Sequence, residues 1–409
     1  MRLLLTISWL IPHLLLAQPE DACLRLIATP VPATAATHDL DFLRPVLADK
    51  RIVLLGESSH GIGDYYTLKS RLVQYLHAEL GFEVLAMESG FADIYFQYQQ
   101  AATLTPVQLR DRTVFGNFQC TEIMPLFTYI HTQAQRPRPL HYAGFDSQNF
   151  GSSLDLLDTL LHTYAPAEAD RIVQDLNAYY HIPPLLWQPD KTPLFAIADT
   201  IIRASLRAEA LLTRYEAQLR EQKKLTDTDL MILRRALRNH REAVQLDWRT
   251  ANPILRRDSL MAANLFWLMD TVYPGKKCII WGHNAHIEKP TQSGAPPAWM
   301  GHYVQARYGA QAYHIGLFAR AGETYTWWTR SVDTFAQTGP SDLENRLLLP
   351  DADIVFADLS QAADTACAYW FRPMTALEVE NGGVQSCIPG LRFDGLINFR
   401  TVKAPVYQR

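Results

Sequence analysis

Arg51-Ile52-Val53-Leu54-Leu55-Gly56-Glu57-Ser58-Ser59-His60-Gly61 decides the fold of this chain. Residues 51–57 are a short apolar run bounded by charge and glycine, the pattern of a strand buried on both faces of a parallel sheet. Downstream, Leu68, Leu72, Tyr75, Leu76 and Leu80 recur at helical spacing, which predicts a helix over 63–80 with Gly81 as its stop. The unit then repeats, with strands predicted at 83–88, 139–146, 276–283, 312–318, 352–358 and 393–399. Helices are predicted at 38–47, ahead of the first strand, and at 92–100, after the second. Strands alternating with helices predict an α/β fold, a mostly parallel open sheet with helices on both faces.

One long segment breaks the alternation. Residues 151–272 are nearly all helical in pattern, with a long charged amphipathic stretch at 226–248 and breakers at Pro183, Pro184 and Pro189. They read as a helical subdomain inserted into an α/β core made of residues 18–150 and 273–409.

The chain has 409 residues, 48% of them apolar and 20% charged, which is enough for a large core. Its net charge is −4 and no Lys/Arg run departs from it, so a nucleic-acid partner is not expected. Residues 1–17 carry Arg2, then an apolar stretch ending at Ala17 before polar Gln18, the layout of a signal peptide. An exported protein, periplasmic or secreted and without stable membrane association after cleavage, is the expectation; an uncleaved anchor is the alternative. None of the five cysteines has CxxC spacing, and Cys367 and Cys387 are candidates for a disulfide in an oxidising compartment.

In an open parallel sheet, ligands bind beyond the carboxyl ends of the strands. The first predicted strand ends at Glu57 with His60 three residues on, and the second ends at Glu88. The third ends at Asp146 with Gln148 behind it, and the fourth at His283, Asn284 and His286. Any one of these has a bland reading: a strand-end acid often caps a helix, as Asp146 would for one beginning near Ser152. Four strands delivering ionisable groups to one edge, two of them with histidine pairs, favour a site.

The motifs resemble those of the erythromycin esterase family. Gly56-Glu57-Ser58-Ser59-His60-Gly61 is similar to its opening G-E-x-[ST]-H-G signature, and Gly144-Phe145-Asp146-x-Gln148 to its G-x-D-x-Q element. Arg257-Asp258-x-x-Met261-Ala262-x-Asn264-x-x-Trp267 and Trp281-Gly282-His283-Asn284-Ala285-His286 resemble two further blocks, and Met300-Gly301 with Tyr308-Gly309 fits its M-G…Y-G spacing. Where some members carry Arg, this chain has Lys69, which cannot make the same bidentate contact.

The resemblance implies hydrolysis of a macrolide lactone or related ester by an activated water, with the helical insertion walling the cleft and no cofactor. His60, at the start of a helix, is the expected general base, oriented by Glu88, with Glu57 the other candidate. His286, with His283 beside it, would polarise the oxyanion or protonate the leaving alkoxide. Arg257, Lys69, Asp146 and Asn284 are the expected substrate or oxyanion contacts. A serine nucleophile is disfavoured because the G-x-S-x-G elbow is absent. Three alternatives stay open: a divalent-metal hydrolase using Glu57, His60, Glu88 and His286, a polysaccharide-modifying enzyme of the cell envelope, and a non-catalytic ligand-binding protein.

Overall fold

In a computed structural model, residues 24–27, 37–148, 152–178, 190, 192–222, 225–246, 253–291, 298–327, 329–340, 342–360, 366–379 and 383–407 are described. The leader, the three proline breakers and the Cys367 side chain lie outside them. Among the described residues no helix is long and apolar enough to cross a membrane.

The strands are β1 (Leu24–Ile27), β2 (Ile52–Leu55), β3 (Val84–Gly90), β4 (His141–Asp146), β5 (Cys278–Trp281), β6 (Ala312–Ala319), β7 (Ala321–Thr326), β8 (Ser331–Ala336), β9 (Ile354–Asp358), β10 (Met374–Glu378), β11 (Gly383–Cys387) and β12 (Gly395–Phe399). Eight of them form one sheet in the order β1-β9-β12-β6-β2-β5-β3-β4. The run from β12 to β4 is parallel throughout, and β9 and β1 add antiparallel pairings at one edge. The mostly parallel α/β sheet is therefore present.

Both faces of the central strands are buried, as their uninterrupted apolar runs require. Ile52 and Leu54 pack with Val84, Ala86, Cys278 and Ile280 on one face. Val53 and Leu55 pack with Leu85, Met87, Ile279 and Trp281 on the other. Each such buried aliphatic side chain contributes on the order of 2 kcal/mol.

The helices are α1 (Arg44–Leu47), α2 (Gly63–Leu80), α3 (Phe91–Tyr98), α4 (Pro106–Thr113), α5 (Met124–Gln133), α6 (Ser152–Tyr164), α7 (Pro166–Asn177), α8 (Thr192–Glu221), α9 (Asp227–Leu246), α10 (Pro253–Trp267), α11 (Asn284–Ile287) and α12 (Met300–Tyr308). Helices α2, α4 and α5 cover the Val53 face, while α3 and α6 to α10 cover the Ile52 face. Gly81 ends α2 at φ 71°, a left-handed cap that glycine adopts without a Cβ clash.

Two differences from the sequence reading position the site. The first strand stops at Leu55, so Glu57 sits in the loop beyond it. The second runs on to Gly90 with a register shift between Met87 and Gly90, so Glu88 lies at a bulge that can re-aim its side chain. The order β2-β5-β3-β4 then sets Glu57, His283, Glu88 and Asp146 side by side at one edge.

Candidate active site

The loop from β2 to α2 is fixed by close backbone packing. A Cβ on Gly56 would fall 2.1 Å from Asn284 Oδ1, and one on Gly61 would fall 2.3 Å from the Tyr325 carbonyl oxygen. Only glycine lets the loop pass between α11 and β7. Asn284 donates from Nδ2 to the Leu317 carbonyl (2.9 Å) and accepts from Leu317 N (3.2 Å), while its own N donates to the Glu57 carbonyl (2.8 Å). Fully buried with its amide spent on β6, Asn284 latches the site and does not face a ligand, contrary to its expected role as a substrate contact.

Glu57 is fully buried and accepts from two sides. Its Oε1 lies 2.7 Å from His60 Nδ1, and its Oε2 lies 2.7 Å from Lys69 Nζ. Burial opposes the carboxylate, but Lys69 and His60 together hold the Glu57 pKa below its ordinary value. Lys69 is itself fully buried, with Nζ 4.2 Å over the Trp281 ring, and burial pulls its pKa down to about 8 against the opposing pull of Glu57. Lys69 thus backs Glu57 from inside the protein; the expected contact with substrate is corrected, because no part of it reaches the surface.

His60 is oriented by Glu57, not by Glu88. The Glu88 Oε1 atom is 4.0 Å from His60 Nε2, beyond a hydrogen bond. With Nδ1 at 2.7 Å from Glu57, His60 turns its Nε2 toward Glu88. The ring packs edge-on against Phe118 (5.3 Å) and beside His283 (5.2 Å).

A second dyad mirrors the first. His286 Nδ1 is 2.8 Å from Asp258 Oδ1, which also accepts from Met300 N (2.9 Å). Its Nε2 lies 3.3 Å from Glu88 Oε1 and 3.3 Å from Arg257 Nη1. Burial disfavours the imidazolium, yet Glu88 and Asp258 outweigh it and raise the His286 pKa above its ordinary value. Asp258 carried no role in the sequence reading. A signal was there: Asp258, Met261, Ala262 and Leu265 share one helical stripe, and the last three are core residues, so an acid on that stripe needs a buried partner.

Glu88 lies between the dyads. It accepts from His283 N at 2.9 Å and from Arg257 Nη2 at 3.1 Å, and although burial opposes its ionisation, His286, His60 and Arg257 hold it ionised. Arg257 also clamps Asp146, with Nη2 to Oδ2 at 2.5 Å and Nε to Oδ1 at 3.3 Å. In the first turn of α6, Ser153 N and Oγ donate to Asp93 Oδ1. His283 caps α11 by accepting from Ala285 N at its Nδ1, which places the ring proton on Nε2.

Ser58 and Ser59 are buried and engaged, with Ser58 Oγ 2.9 Å from Tyr65 Oη and Ser59 Oγ 3.0 Å from Thr324 Oγ1. Neither hydroxyl is placed against His60 in the manner of a serine nucleophile. The groups that would hold a cation are Glu88 and the two Nε2 atoms facing it; there Arg257 supplies the positive charge. Among the described residues no group of three or more His, Cys, Asp or Glu side chains is arranged to hold a metal ion. Of the cysteines, Cys120 and Cys278 are buried free thiols.

Paired histidine–carboxylate dyads at the carboxyl edge of a parallel α/β sheet lie where such sheets bind ligands, and such pairs are able to accept and donate protons. The erythromycin esterase family profile matches residues 77–402, and the chain belongs to that family. It is 29% identical to the Bacillus subtilis (strain 168) protein named "Putative hydrolase YbfO" over 90% of this chain and 85% of that one. The fold is similar to that of a succinoglycan biosynthesis protein (TM-score 0.74, 16% identity, 95% and 97% of the two chains). It also matches an open-conformation mutant of the erythromycin esterase EreC (TM-score 0.57, 16% identity, 93% and 98%). The chain is a hydrolase of this family.

Proposed function

We propose that the protein hydrolyses a carboxylic ester, a macrolide lactone being the first candidate, by direct attack of a water activated at His60. One observation carries this: two separately oriented imidazoles present Nε2 to the same carboxylate oxygen, Glu88 Oε1, at 4.0 and 3.3 Å. In this reading the attacking water lies between His60 Nε2 and Glu88. His60 takes its proton, and Glu57 stabilises the imidazolium that forms. Glu88, held ionised, is a weak base and serves to position the water and Arg257. His286, with its raised pKa, gives a proton to the leaving alkoxide as the carbon–oxygen bond breaks. Arg257 supplies positive charge next to the oxyanion. The protein is exported, the helices between β4 and β5 wall the cleft, and no cofactor takes part.

The test is incubation of the purified chain with erythromycin and intact-mass measurement of the product. A gain of one water that survives chelation supports the reading. An unchanged mass removes macrolides as substrate, and activity abolished by chelation and restored by a divalent cation overturns the metal-free mechanism.

A further inference from the structure

His286 rides on α11, a single turn of four residues. Such a turn closes too few hydrogen bonds of its own to hold a fixed place, so its position is set from outside. One end is held by the Asn284 latch to Leu317 on β6. The other end is held by the same strand: His314 Nδ1 lies 2.5 Å from the carbonyl oxygen of Ile287, the last residue of α11. A carbonyl only accepts, so the proton is on Nδ1 and His314 donates it. Burial pulls the His314 pKa down to about 4, which keeps the ring neutral.

His314 is fully buried, on the face of β6 that it shares with the core residues Ala312 and Phe318. Its Nε2 has no partner among the described residues. An apolar side chain of similar size would suit this face without leaving a bare nitrogen buried. What the imidazole adds over such a side chain is the grip on Ile287. The backbone of His314 is itself fixed, since its N donates to Asp394 Oδ2 (3.0 Å) and its carbonyl accepts from Asp394 N (2.8 Å). Helix α12 packs on the same Ile287 carbonyl, where a Cβ on Gly301 would fall 2.4 Å from the oxygen. The first residue of that helix, Met300, donates from its N to Asp258 Oδ1. A shift of α11 therefore changes two distances at once, His286 Nδ1 to Asp258 (2.8 Å) and His286 Nε2 to Glu88 (3.3 Å).

We propose that His314 is a positioning residue for the second dyad: by holding the Ile287 carbonyl it fixes the turn that carries His286, and so the reach of that imidazole to Asp258 and Glu88. Fully buried, His314 meets neither substrate nor the reacting atoms. The effect on turnover rests on the hydrolytic reading of the site; the effect on the contact between His286 and Asp258 does not. A misplacement of about 1 Å in a reacting group costs about 10²-fold in rate, so the loss falls on kcat more than on KM.

The test compares His314→Leu, which keeps the bulk and loses the donor, with His314→Asn, whose Nδ2 stands close to the imidazole Nδ1 position and can donate in its place. The whole protein, isotope-labelled at its histidine nitrogens, is observed by NMR. The Nδ1 proton that His286 shares with Asp258 gives a downfield imidazole signal, identified by its absence in His286→Gln. That signal is expected in the parent and in His314→Asn, and is lost or broadened in His314→Leu with circular dichroism unchanged. On any ester that the parent hydrolyses, His314→Leu lowers kcat about 10- to 100-fold with KM within a few-fold, and His314→Asn recovers most of the loss. Should His314→Leu not fold, His314→Ala removes the donor without added bulk and takes its place. An unchanged His286 signal or parental kcat in His314→Leu, or equal losses in His314→Asn, overturns the proposal. A signal lost from His314→Leu alone, in a protein that hydrolyses no ester, keeps the positioning role and removes the hydrolytic reading.

Discussion

Asp258→Asn isolates the charge of the second dyad from its geometry. Both partners of Asp258, His286 Nδ1 and Met300 N, meet the same oxygen, Oδ1, while Oδ2 is buried without a partner among the described residues. An asparagine that keeps its carbonyl at Oδ1 retains both hydrogen bonds. The cost to the fold is then limited to a buried NH₂ at the Oδ2 position, about 1–3 kcal/mol. The cost to the imidazolium is larger: two unit charges about 4 Å apart attract by about 4 kcal/mol at an effective dielectric of about 20. Glu88 stays in place, so this figure is an upper bound on what His286 loses. The folded His286 pKa is raised, so its proton is present at low pH and lost as pH rises through that pKa. The variant therefore moves the alkaline limb of kcat/KM to lower pH and reduces kcat about 10²–10⁴-fold above it. By the same sign, the stability that His286 contributes in the parent is full below its unfolded pKa and fades on the alkaline side, and the variant keeps only the part of this dependence that Glu88 supplies. Steady-state kinetics across pH on any confirmed ester substrate, with thermal melts alongside, checks both. An unmoved alkaline limb with parental kcat refutes the assignment of His286 as the acid.

Three further expectations come from the first dyad. Lys69→Met leaves the buried Glu57 carboxylate without its inner partner and destabilises the fold by about 3–5 kcal/mol, and adding Glu57→Gln recovers part of that loss, as a double-mutant cycle in thermal or urea unfolding will show. Gly56→Ala forces a Cβ within 2.1 Å of Asn284 Oδ1, so the latch to Leu317 shifts, stability drops about 1–3 kcal/mol and activity falls with it. Ser58→Ala removes one buried hydrogen bond at a cost of about 1 kcal/mol, leaves the rate within a few-fold of the parent, and a fluorophosphonate probe labels neither protein.

The strands legible in the sequence were those buried on both faces, because β2, β3 and β5 announce themselves as apolar runs. The hairpins β7–β8 and β10–β11 and the short edge strand β1 were not read. β7 (AGETYT) and β8 (SVDTFA) are polar and half-exposed, and what holds them is cross-strand pairing and contact with the Gly61 loop. Placement of Glu57, His60, Glu88, Asp146, His283 and His286 at one sheet edge was legible, since strand ends converge in a parallel sheet. Pairing was not. Which carboxylate holds which histidine depends on the early end of β2, the bulge at Glu88 and the arrival of Asp258 on a distant helix. Lys69 and Asn284 misled for a related reason: both belong to matching motifs, yet motif membership does not separate a group that meets the ligand from one that braces the group that does.

The most direct measurement of the central claim is the turnover of His60→Gln, whose amide keeps a polar group near Glu57 but cannot accept and return a proton. The account predicts a folded protein, by circular dichroism and thermal melt, with kcat reduced about 10²–10⁴-fold on any ester the parent hydrolyses. Parental turnover in that variant would contradict it.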